Sequence, residues 1–376
     1  MNVPIHPLPA LLGLVLALVT PAWAAEDAGL AKPWPAPKAN AWYRSRPWLV
    51  GCNFSPSTAI NQLEMWQADT FDPATIDREL GWAEQLGFSS VRVFLHHLLW
   101  QQDAPGFLKR MDQFLALAHQ HRISVMFVLF DSCWDPDPKL GKQREPKPFL
   151  HNSGWVQSPG RDFMAHPDRL DELKPYVQGV VGHFAKDPRI DFWDLFNEPD
   201  NLNDPAYLKL EPANKRDSAL VLLNRTFAWA RAMNPTQPLS SGVWMGDWAD
   251  PAKLSPMEHA QLDQSDIITF HNYSRLEDVE KCVRNLRRYD RPVICSEYMA
   301  RPVGSTFDPN LRFFKTQKVG AYNWGFVAGK TQTIFPWDSW TKTYTNEPPV
   351  WFHDIFRPNG APYDPKEVQF IKGLTH

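Results

Sequence analysis

Short runs of strand-forming apolar residues alternate with longer amphipathic segments along most of the chain. The runs contain few polar residues, which is typical of a parallel sheet covered on both faces. The segments between them carry apolar residues at helical spacing; residues 72–87, for example, begin with an Asp that can cap a helix and end at a Gly. The eight strand-like runs are 48–54, 90–95, 123–130, 190–196, 238–244, 266–271, 292–298 and 320–327.

This repeat predicts the fold class. Eight strand–helix units over about 330 residues match the size of a (β/α)8 TIM barrel, an α/β fold, formed here by a single domain over 46–376. The chemistry of such a barrel lies at the carboxyl ends of its strands. A polar residue that ends an apolar run is therefore a candidate site residue before any motif is considered.

The first 45 residues differ in composition from the rest. The apolar run LLGLVLALVT is followed by Pro21 and by small residues at Ala22 and Ala24, the pattern of a secretory signal peptide over 1–25. No Lys or Arg precedes the run, which leaves an uncleaved anchor or a mistaken start site as alternatives, although the run is short for a membrane span. We predict export to the periplasm or the medium, and an extended Pro-rich lead-in over 26–45.

Charge and aromatic content narrow the choice of partner. The net charge is -3, with no long single-sign run, so neither nucleic acid nor a stable membrane partner is expected. The 17 Trp residues offer flat apolar faces that suit sugar rings as well as core packing. We expect a carbohydrate substrate, a monomer and no cofactor.

Cysteine and histidine spacing gives no support to a metal site. There is no C-x-x-C pair and no H-E-x-x-H sequence, so a metal-dependent hydrolase is the weaker interpretation and no metal is predicted. In an exported protein cysteines can pair, and the sequence leaves the pairing open. The four cysteines are Cys52, Cys133, Cys282 and Cys295.

Two glutamates stand at the carboxyl ends of predicted strands. Glu198 follows the fourth strand in DFWDLFNEPD, and Glu297 lies in the seventh, PVICSEY. Hydrolysis of a glycosidic bond needs one carboxylic acid to protonate the leaving oxygen and one carboxylate to attack the anomeric carbon. Because these strands face a shared centre, we predict a gap of about 5 Å, the spacing of a retaining double displacement. The simpler alternative is that each Glu only ends a strand.

Other residues at strand ends fit the same site. Arg92, a charge inside an apolar strand, needs a carboxylate partner, which can be Glu297 or another buried acid. His271 and Tyr273 are two residues apart, and we expect them to hydrogen-bond the acid and the nucleophile respectively. The further candidates for contact with substrate are His97, Asp131, Trp134, Asn197, Trp244 and Trp324.

A long segment after the third strand predicts the shape of the cleft. Residues 131–167 are rich in Pro and Trp, which is typical of a rigid wall, and such a wall favours a pocket that trims chain ends. An endo-acting β-1,4-mannanase, glucanase or xylanase is the alternative. The Trp residues in or near loops of this face are Trp100, Trp134, Trp155, Trp244, Trp248, Trp337 and Trp340.

In chain order, Arg92, LFNEPD around Glu198, HNY at 271–273, ICSEY around Glu297 and Trp324 resemble the catalytic set of glycoside hydrolase family 5, the cellulase-like retaining barrel hydrolases. The resemblance implies that Glu198 is the acid/base and Glu297 the nucleophile. It also implies that Asn197 contacts the sugar 2-hydroxyl and that Trp324 is the platform under the sugar. Family members commonly carry a His at the end of the third strand, where this chain has Asp131, which can bind a pair of sugar hydroxyls.

The sequence thus predicts a retaining β-glycosidase that acts on plant-type polysaccharides or their oligosaccharides. Glu198 is expected to have a raised pKa, as an acid requires, and Glu297 to stay ionised. A non-catalytic carbohydrate-binding barrel is the alternative from another class. The sugar and the linkage stay open, because members of one fold act on many of them.

Overall fold

The predicted strands are present in the computed structural model, which describes residues 32–376. They are Val50–Asn53 (β1), Ser90–Phe94 (β2), Ser124–Asp131 (β3), Ile190–Asn197 (β4), Leu239–Ser240 (β5), Ile268–His271 (β6), Val293–Tyr298 (β7) and Gly320–Asn323 (β8). All neighbouring pairs are parallel, in the order β5-β4-β3-β2-β1-β8-β7-β6. Beyond β5, Val243 forms a parallel bridge to Phe270 of β6, which closes the sheet into a barrel.

Helices follow the strands and cover the outside of the barrel. They are Ala36–Arg44 (α1), Gln62–Trp66 (α2), Pro73–Gln85 (α3), His97–Gln120 (α4), Arg161–Ala165 (α5), Lys174–His183 (α6), Lys215–Ala232 (α7), Pro256–Gln264 (α8), Leu276–Leu286 (α9), Phe307–Gln317 (α10) and Pro365–Thr375 (α11). The predicted ends of α3 are confirmed. Asp72 caps it by accepting a hydrogen bond from the Thr75 N–H, and Gly87 follows it at a φ of 73°. The (β/α)8 prediction is therefore confirmed.

The predicted boundaries fail at two strands. The run 238–244 contributes only two residues to the ladder, and the run 320–327 leaves it after Asn323. Gly325 has a φ of 76° and would carry a Cβ 2.6 Å from the His353 side chain, so the chain turns away there. Apolar composition continues past the turn because the following residues pack in the loops above the barrel.

The predicted extended lead-in is wrong over its described part, 32–45, because 36–44 form a helix. The prolines that suggested an extended chain lie at the start of α1, where a missing N–H costs nothing and the fixed φ suits the helix. The helix packs under the amino-terminal end of the barrel, where Ala39 contacts a cluster of buried strand residues. An ion pair from Arg46 to the buried Asp191, at 2.8 Å, holds the connection to β1. Residues 32–376 accordingly form one unit.

Two further predictions concern parts of the chain beside the barrel. The predicted signal peptide lies outside the described residues. Within residues 32–376, no helix is both long enough and apolar enough to cross a membrane. The four cysteines are free thiols, and only Cys133 is not buried.

Large aromatic side chains fill the layer between the barrel and its helices. The ring centroids of Trp66 and Phe114 on α4 are 5.5 Å apart. Those of Phe127 on β3 and Trp193 on the neighbouring β4 are 5.9 Å apart. Each such ring is fully buried, and burial of a side chain of this size contributes about 1.5–3 kcal/mol. This layer holds the strands in register and so keeps their carboxyl ends in fixed relative positions.

Gly51 is a point where the barrel admits no side chain. A Cβ at this position of β1 would lie 1.7 Å from the Ser90 carbonyl oxygen of β2. We expect Gly51→Ala to lower the free energy of unfolding by about 3 kcal/mol, because the clash is with backbone. Gly373→Ala is the matched control, since nothing lies within 4 Å of its Cβ. Denaturant midpoints that are equal for the two variants would contradict the expectation.

Candidate active site

The carboxyl ends of the strands surround one cleft of about 680 Å³. Strand register aligns functional residues there: Asn53 lies opposite Arg92, and His271 lies opposite Glu297. The loops after β3, β4, β5 and β8 complete the walls. The predicted site residues that line the cleft are Trp134, Asn197, Glu198, Trp244, Tyr273, Glu297 and Trp324.

Two carboxylates face each other at the bottom of this cleft. An oxygen of Glu198, an oxygen of Glu297 and a ring nitrogen of His271 all lie within 4.8 Å of one another. The exposed fractions of the two glutamates are 8% and 4%, so each is accessible only from the cleft. Glu198 has a φ of 43°, a conformation that costs a non-glycine residue about 1–2 kcal/mol. The residue that directly follows β4 is therefore strained, and its side chain points into the site.

Glu297 is held by two donors, one to each oxygen. Arg92 Nη1 donates to Oε1 at 2.6 Å, and the Tyr273 hydroxyl donates to Oε2 at 2.7 Å. The partners come from β2 and from the loop after β6, so the carboxylate is fixed from two sides and paired with a positive charge.

Arg92 is fully buried and contacts four acceptors. Its guanidinium donates to Asp194 at 2.7 Å and to Glu297, and also to the side-chain oxygens of Asn53 and Asn197 at 2.8 and 2.7 Å. Burial lowers the pKa of Arg92, but the charges of Asp194 and Glu297 outweigh burial and raise the pKa, so the group stays charged. The sequence left two partners open, Glu297 or another buried acid, and both are present.

Glu198 has its own, separate set of hydrogen bonds. Its Oε1 lies 2.8 Å from His271 Nδ1, while Oε2 accepts from Asn201 Nδ2 at 2.7 Å and from Cys133 Sγ at 3.2 Å. The other ring nitrogen of His271 is buried without a hydrogen-bond partner, 3.6 Å from Glu297 Oε1. The imidazole thus stands between the two carboxylates.

The raised pKa expected for Glu198 is not found. Burial raises the pKa of this carboxyl, but the hydrogen bond and the charge of His271, with the hydrogen bonds from Asn201 and Cys133, outweigh burial and lower it. The physical reason is that three donors converge on the carboxylate and favour its ionised form.

Asp131 does not face the cleft, so the predicted contact with substrate is wrong. Its carboxylate is 1% exposed and accepts hydrogen bonds from Asn197 at 2.9 Å, from the Trp155 indole at 2.7 Å and from Gln62 at 3.1 Å. Burial raises the pKa of Asp131 to about 6. The residue orients Asn197, whose amide keeps one N–H directed toward the Sγ of Cys133 at 3.4 Å.

His97 is also outside the cleft, which corrects its predicted contact with substrate. It opens α4, is 2% exposed, and its Nδ1 lies 3.0 Å from the Ser158 hydroxyl. Its ring stacks on that of His96, whose Nε2 lies 3.0 Å from the Gln157 carbonyl oxygen. The two histidines support the loop that follows β3, and the strand-end position alone did not reveal that they point beneath it.

Five tryptophans line the cleft. Trp134 of the β3 loop stacks on Trp340 of the β8 loop, with ring centroids 5.5 Å apart and an interplanar angle of 16°. Trp244 donates its indole N–H to Asp200 at 2.8 Å. Trp324 and Trp337 complete the set.

The remaining three of the seven loop tryptophans pack in the fold outside the cleft. Trp155 and Trp248 are buried, and Trp100 packs on α6, where a Cβ on Gly179 would meet its ring. The sequence placed them near loops but could not show which way their rings face.

Three residues with functional contacts were absent from the prediction. Asp194 pairs with Arg92 and interrupts an apolar strand just as Arg92 does, so the two charges were a detectable pair. Asn201 and Cys133 contact Glu198 from loops, and no local pattern marks them.

Among the described residues, one group of side chains brings together atoms that could ligate a metal ion. It consists of Glu198, His271 and Glu297. Both oxygens of Glu297 already accept hydrogen bonds from Arg92 and Tyr273. The guanidinium also opposes a cation at the same carboxylate. The donor set fits acid–base and nucleophilic chemistry better than a metal ion.

Solved structures resemble this barrel at low sequence identity. GH5_18 from Streptomyces cattleya, in complex with GlcNAc, has a TM-score of 0.59 and 13% identity, covering 88% of this chain and 80% of that chain. The exo-beta-1,4-mannosidase Op5Man5 from Opitutaceae bacterium strain TAV5 has a TM-score of 0.56 and 17% identity, covering 88% and 59%. The endo-1,4-beta-mannanase from Rhizomucor miehei has a TM-score of 0.56 and 14% identity, covering 88% and 94%.

At such low sequence identity, the similarity to these structures supports the fold of this chain and no more. No protein-family model and no curated protein matches the sequence.

Proposed function

We propose that this protein is a retaining β-glycosidase of the glycoside hydrolase family 5 type. The observation that carries the proposal is the pair Glu198 and Glu297, with oxygens within 4.8 Å inside one cleft and with separate hydrogen-bond partners. Carboxyl groups about 5–5.5 Å apart suit double displacement, whereas inversion needs room for a water between them. The similar structures named as glycoside-cleaving enzymes support the same activity.

In the first step Glu297 is the nucleophile. Its carboxylate attacks the anomeric carbon and forms a glycosyl ester, while the C–O bond to the leaving group breaks. Glu198 gives its proton to the leaving oxygen, so that an alcohol departs. Arg92 and Tyr273 hold Glu297 in line for attack through contacts of 2.6 and 2.7 Å.

In the second step the roles of Glu198 reverse. As a carboxylate it takes a proton from a water molecule, which attacks the anomeric carbon and releases Glu297. Two displacements at the same carbon retain its configuration. The hydrogen bonds that lower the pKa of Glu198 favour its ionised form, which is the form that takes the proton from water.

The walls of the cleft favour action on chain ends. The stack of Trp134 on Trp340 joins the β3 and β8 loops, and Tyr207 of the β4 loop packs on Trp340 with ring centroids 5.3 Å apart. Loops that interlock in this way close one end of a groove. An exo-β-1,4-mannosidase is among the similar structures, and so is an endo-mannanase, so that endo action is the second candidate.

Hydrolysis of a substrate panel tests the proposal. The purified chain is incubated with aryl β-mannoside, aryl β-glucoside, soluble mannan, glucan and xylan, with products separated by size and their anomers followed by NMR. We expect one member to be cleaved with the β-anomer released first, and monomer or dimer as product. An α-anomer released first would contradict retention, and a ladder of oligosaccharides would favour endo action. Binding of an oligosaccharide without hydrolysis of any substrate would favour a binding barrel.

Tyr273→Phe isolates one hydrogen bond to the nucleophile. Because the lost bond was to a carboxylate, we expect kcat/KM on an aryl β-glycoside to fall by about 10- to 100-fold, with little change in thermal unfolding. Tyr289→Phe is a matched control, since its side chain lies outside the cleft. Equal kcat/KM for the two variants would contradict a role of Tyr273 in holding Glu297.

We also propose export of the chain, which rests on the sequence of residues 1–25. The protein recovered from the periplasm or the medium is expected to begin near Glu26. An unprocessed amino terminus in the cytoplasmic fraction would contradict this.

A further inference from the structure

Cys133 is the one cysteine whose side chain reaches the cleft. Cys52, Cys282 and Cys295 are buried in the fold, whereas Cys133 is half-buried and lines the cleft two residues beyond the end of β3. Its Sγ lies 3.2 Å from Glu198 Oε2, which is hydrogen-bond distance for a thiol. The thiol therefore touches the carboxyl group to which the proposed function gives the acid/base role.

The surroundings of Cys133 fix its position. Its backbone N–H donates to Asp131 Oδ1 at 3.0 Å, and Asp131 is in turn held by Asn197. The side-chain amides of Asn197 and Asn201 approach Sγ at 3.4 and 3.6 Å. The sulfur thus lies between two amide donors and one carboxylate acceptor.

We propose that Cys133 is a positioning residue for Glu198, which adapts its hydrogen bond to the protonation state of that carboxyl. The inference rests on the proposed function. Glu198 must alternate between a carboxylic acid and a carboxylate during one turnover. A thiol can point its S–H at Oε2 when Glu198 is ionised, and can turn away when Oε2 carries a proton. The amide of Asn201, at 2.7 Å from the same oxygen, offers only donors on that side.

The thiol acts in its protonated form. Burial raises the pKa of Cys133 well above its ordinary value, and the neighbouring carboxylates Glu198, Asp131 and Glu297 raise it further. A thiolate is therefore disfavoured beside these acids, and Cys133 is not a second nucleophile.

Removal of the thiol is expected to move the pH profile in a defined direction. The S–H bond favours ionised Glu198, so its loss raises the pKa of Glu198. The alkaline limb of the pH profile of kcat/KM reports loss of the proton from Glu198, so this limb then moves to higher pH. The ionisable and charged groups around Glu198 that stay in place are His271 of β6, Glu297 of β7, Asp131 of β3, Arg92 of β2 and Tyr273 after β6.

Cys133→Ala and Cys133→Ser test the proposal on two aryl β-glycosides, one with a good and one with a poor leaving group. For Cys133→Ala we expect kcat on the poor leaving group to fall about tenfold, and the alkaline limb to rise by about half a pH unit. The good leaving group needs little acid help, so the first chemical step on it should change less. Cys133→Ser keeps a rotatable donor and should restore both quantities toward wild type.

Asn201→Ala serves as the comparison variant, since it removes the other donor to Oε2 and should move the same limb in the same direction. An active wild type whose pH profile is unchanged by Cys133→Ala would overturn the inference alone. Equal losses on both leaving groups, with lowered thermal stability and no recovery in Cys133→Ser, would also overturn it, because they indicate a structural role. Inactivity of the wild type on every glycoside would overturn the proposed function and this inference with it.

Discussion

Glu297→Gly is expected to lower hydrolysis of aryl β-glycosides by at least about ten-thousand-fold, because no other group near the anomeric carbon can form the glycosyl ester. Azide added to this variant should occupy the space that the carboxylate leaves. It attacks from the face that Glu297 faced, so the product is an α-glycosyl azide. Product configuration is read by NMR.

Glu198→Ala should give the opposite stereochemical result. With a dinitrophenyl leaving group the first step needs little acid help, and the glycosyl ester on Glu297 accumulates. Azide then attacks this ester in place of water and yields a β-glycosyl azide. Cleavage of substrates with poor leaving groups should fall by about 100- to 10,000-fold.

Glu145→Ala is the control for both variants, because Glu145 is exposed and lies outside the cleft. An activity of Glu297→Gly within tenfold of wild type would contradict the nucleophile assignment. A β-glycosyl azide from Glu297→Gly and an α-glycosyl azide from Glu198→Ala would show that the roles of the two glutamates are reversed.

Arg92→Met is expected to lower the free energy of unfolding by about 3–5 kcal/mol. The change leaves the buried carboxylates of Asp194 and Glu297 without their positive partner, and a buried uncompensated charge is costly. Activity should fall as well, since Glu297 loses the contact that orients its carboxylate. Denaturant unfolding and kcat/KM measure the two effects.

A double variant separates stability from activity. Arg92→Met with Asp194→Asn removes one of the two stranded charges, so we expect part of the stability to return. Activity should not return, because Glu297 still lacks the guanidinium that orients its carboxylate. Wild-type activity in this double variant would contradict the role given to Arg92.

Arg312→Met is the matched control for the stability measurement. Arg312 forms an exposed pair with Asp308 on α10, with both side chains more than half exposed. Such pairs contribute about 0–1 kcal/mol, so the variant should unfold near the wild-type midpoint.

The barrel was predictable because its signal is local. A strand buried on both faces must be apolar throughout, and this run repeats eight times with helical segments between. Strand ends and helix α1 were less predictable. Residues 324–327 are as apolar as a strand, yet they leave the ladder and pack in a loop. The prolines of 33–37 indicated an extended chain, although two of them lie at the start of a helix.

Within the site, position at a strand end singled out Glu198, His271 and Glu297, since strand ends converge in any closed barrel. Arg92 was singled out as a charge inside an apolar strand. The same rule misplaced Asp131 and His97. Asp131 ends a strand but is enclosed by donors from residues 62 and 155, which no local pattern connects to it.

The sequence by itself determined the number of strands, the buried charge of Arg92 and the two carboxylates at the carboxyl ends of β4 and β7. Each depends on the character of a single residue or on a short periodic pattern. Tertiary structure alone decided which oxygen of Glu198 meets His271 and which meets Cys133, that Trp134 stacks on Trp340, and that three donors lower the pKa of Glu198. The contacts of Glu198 with His271 and Cys133 and the stack of Trp134 on Trp340 join residues 65 or more positions apart in the chain, and only the closed barrel brings such residues together.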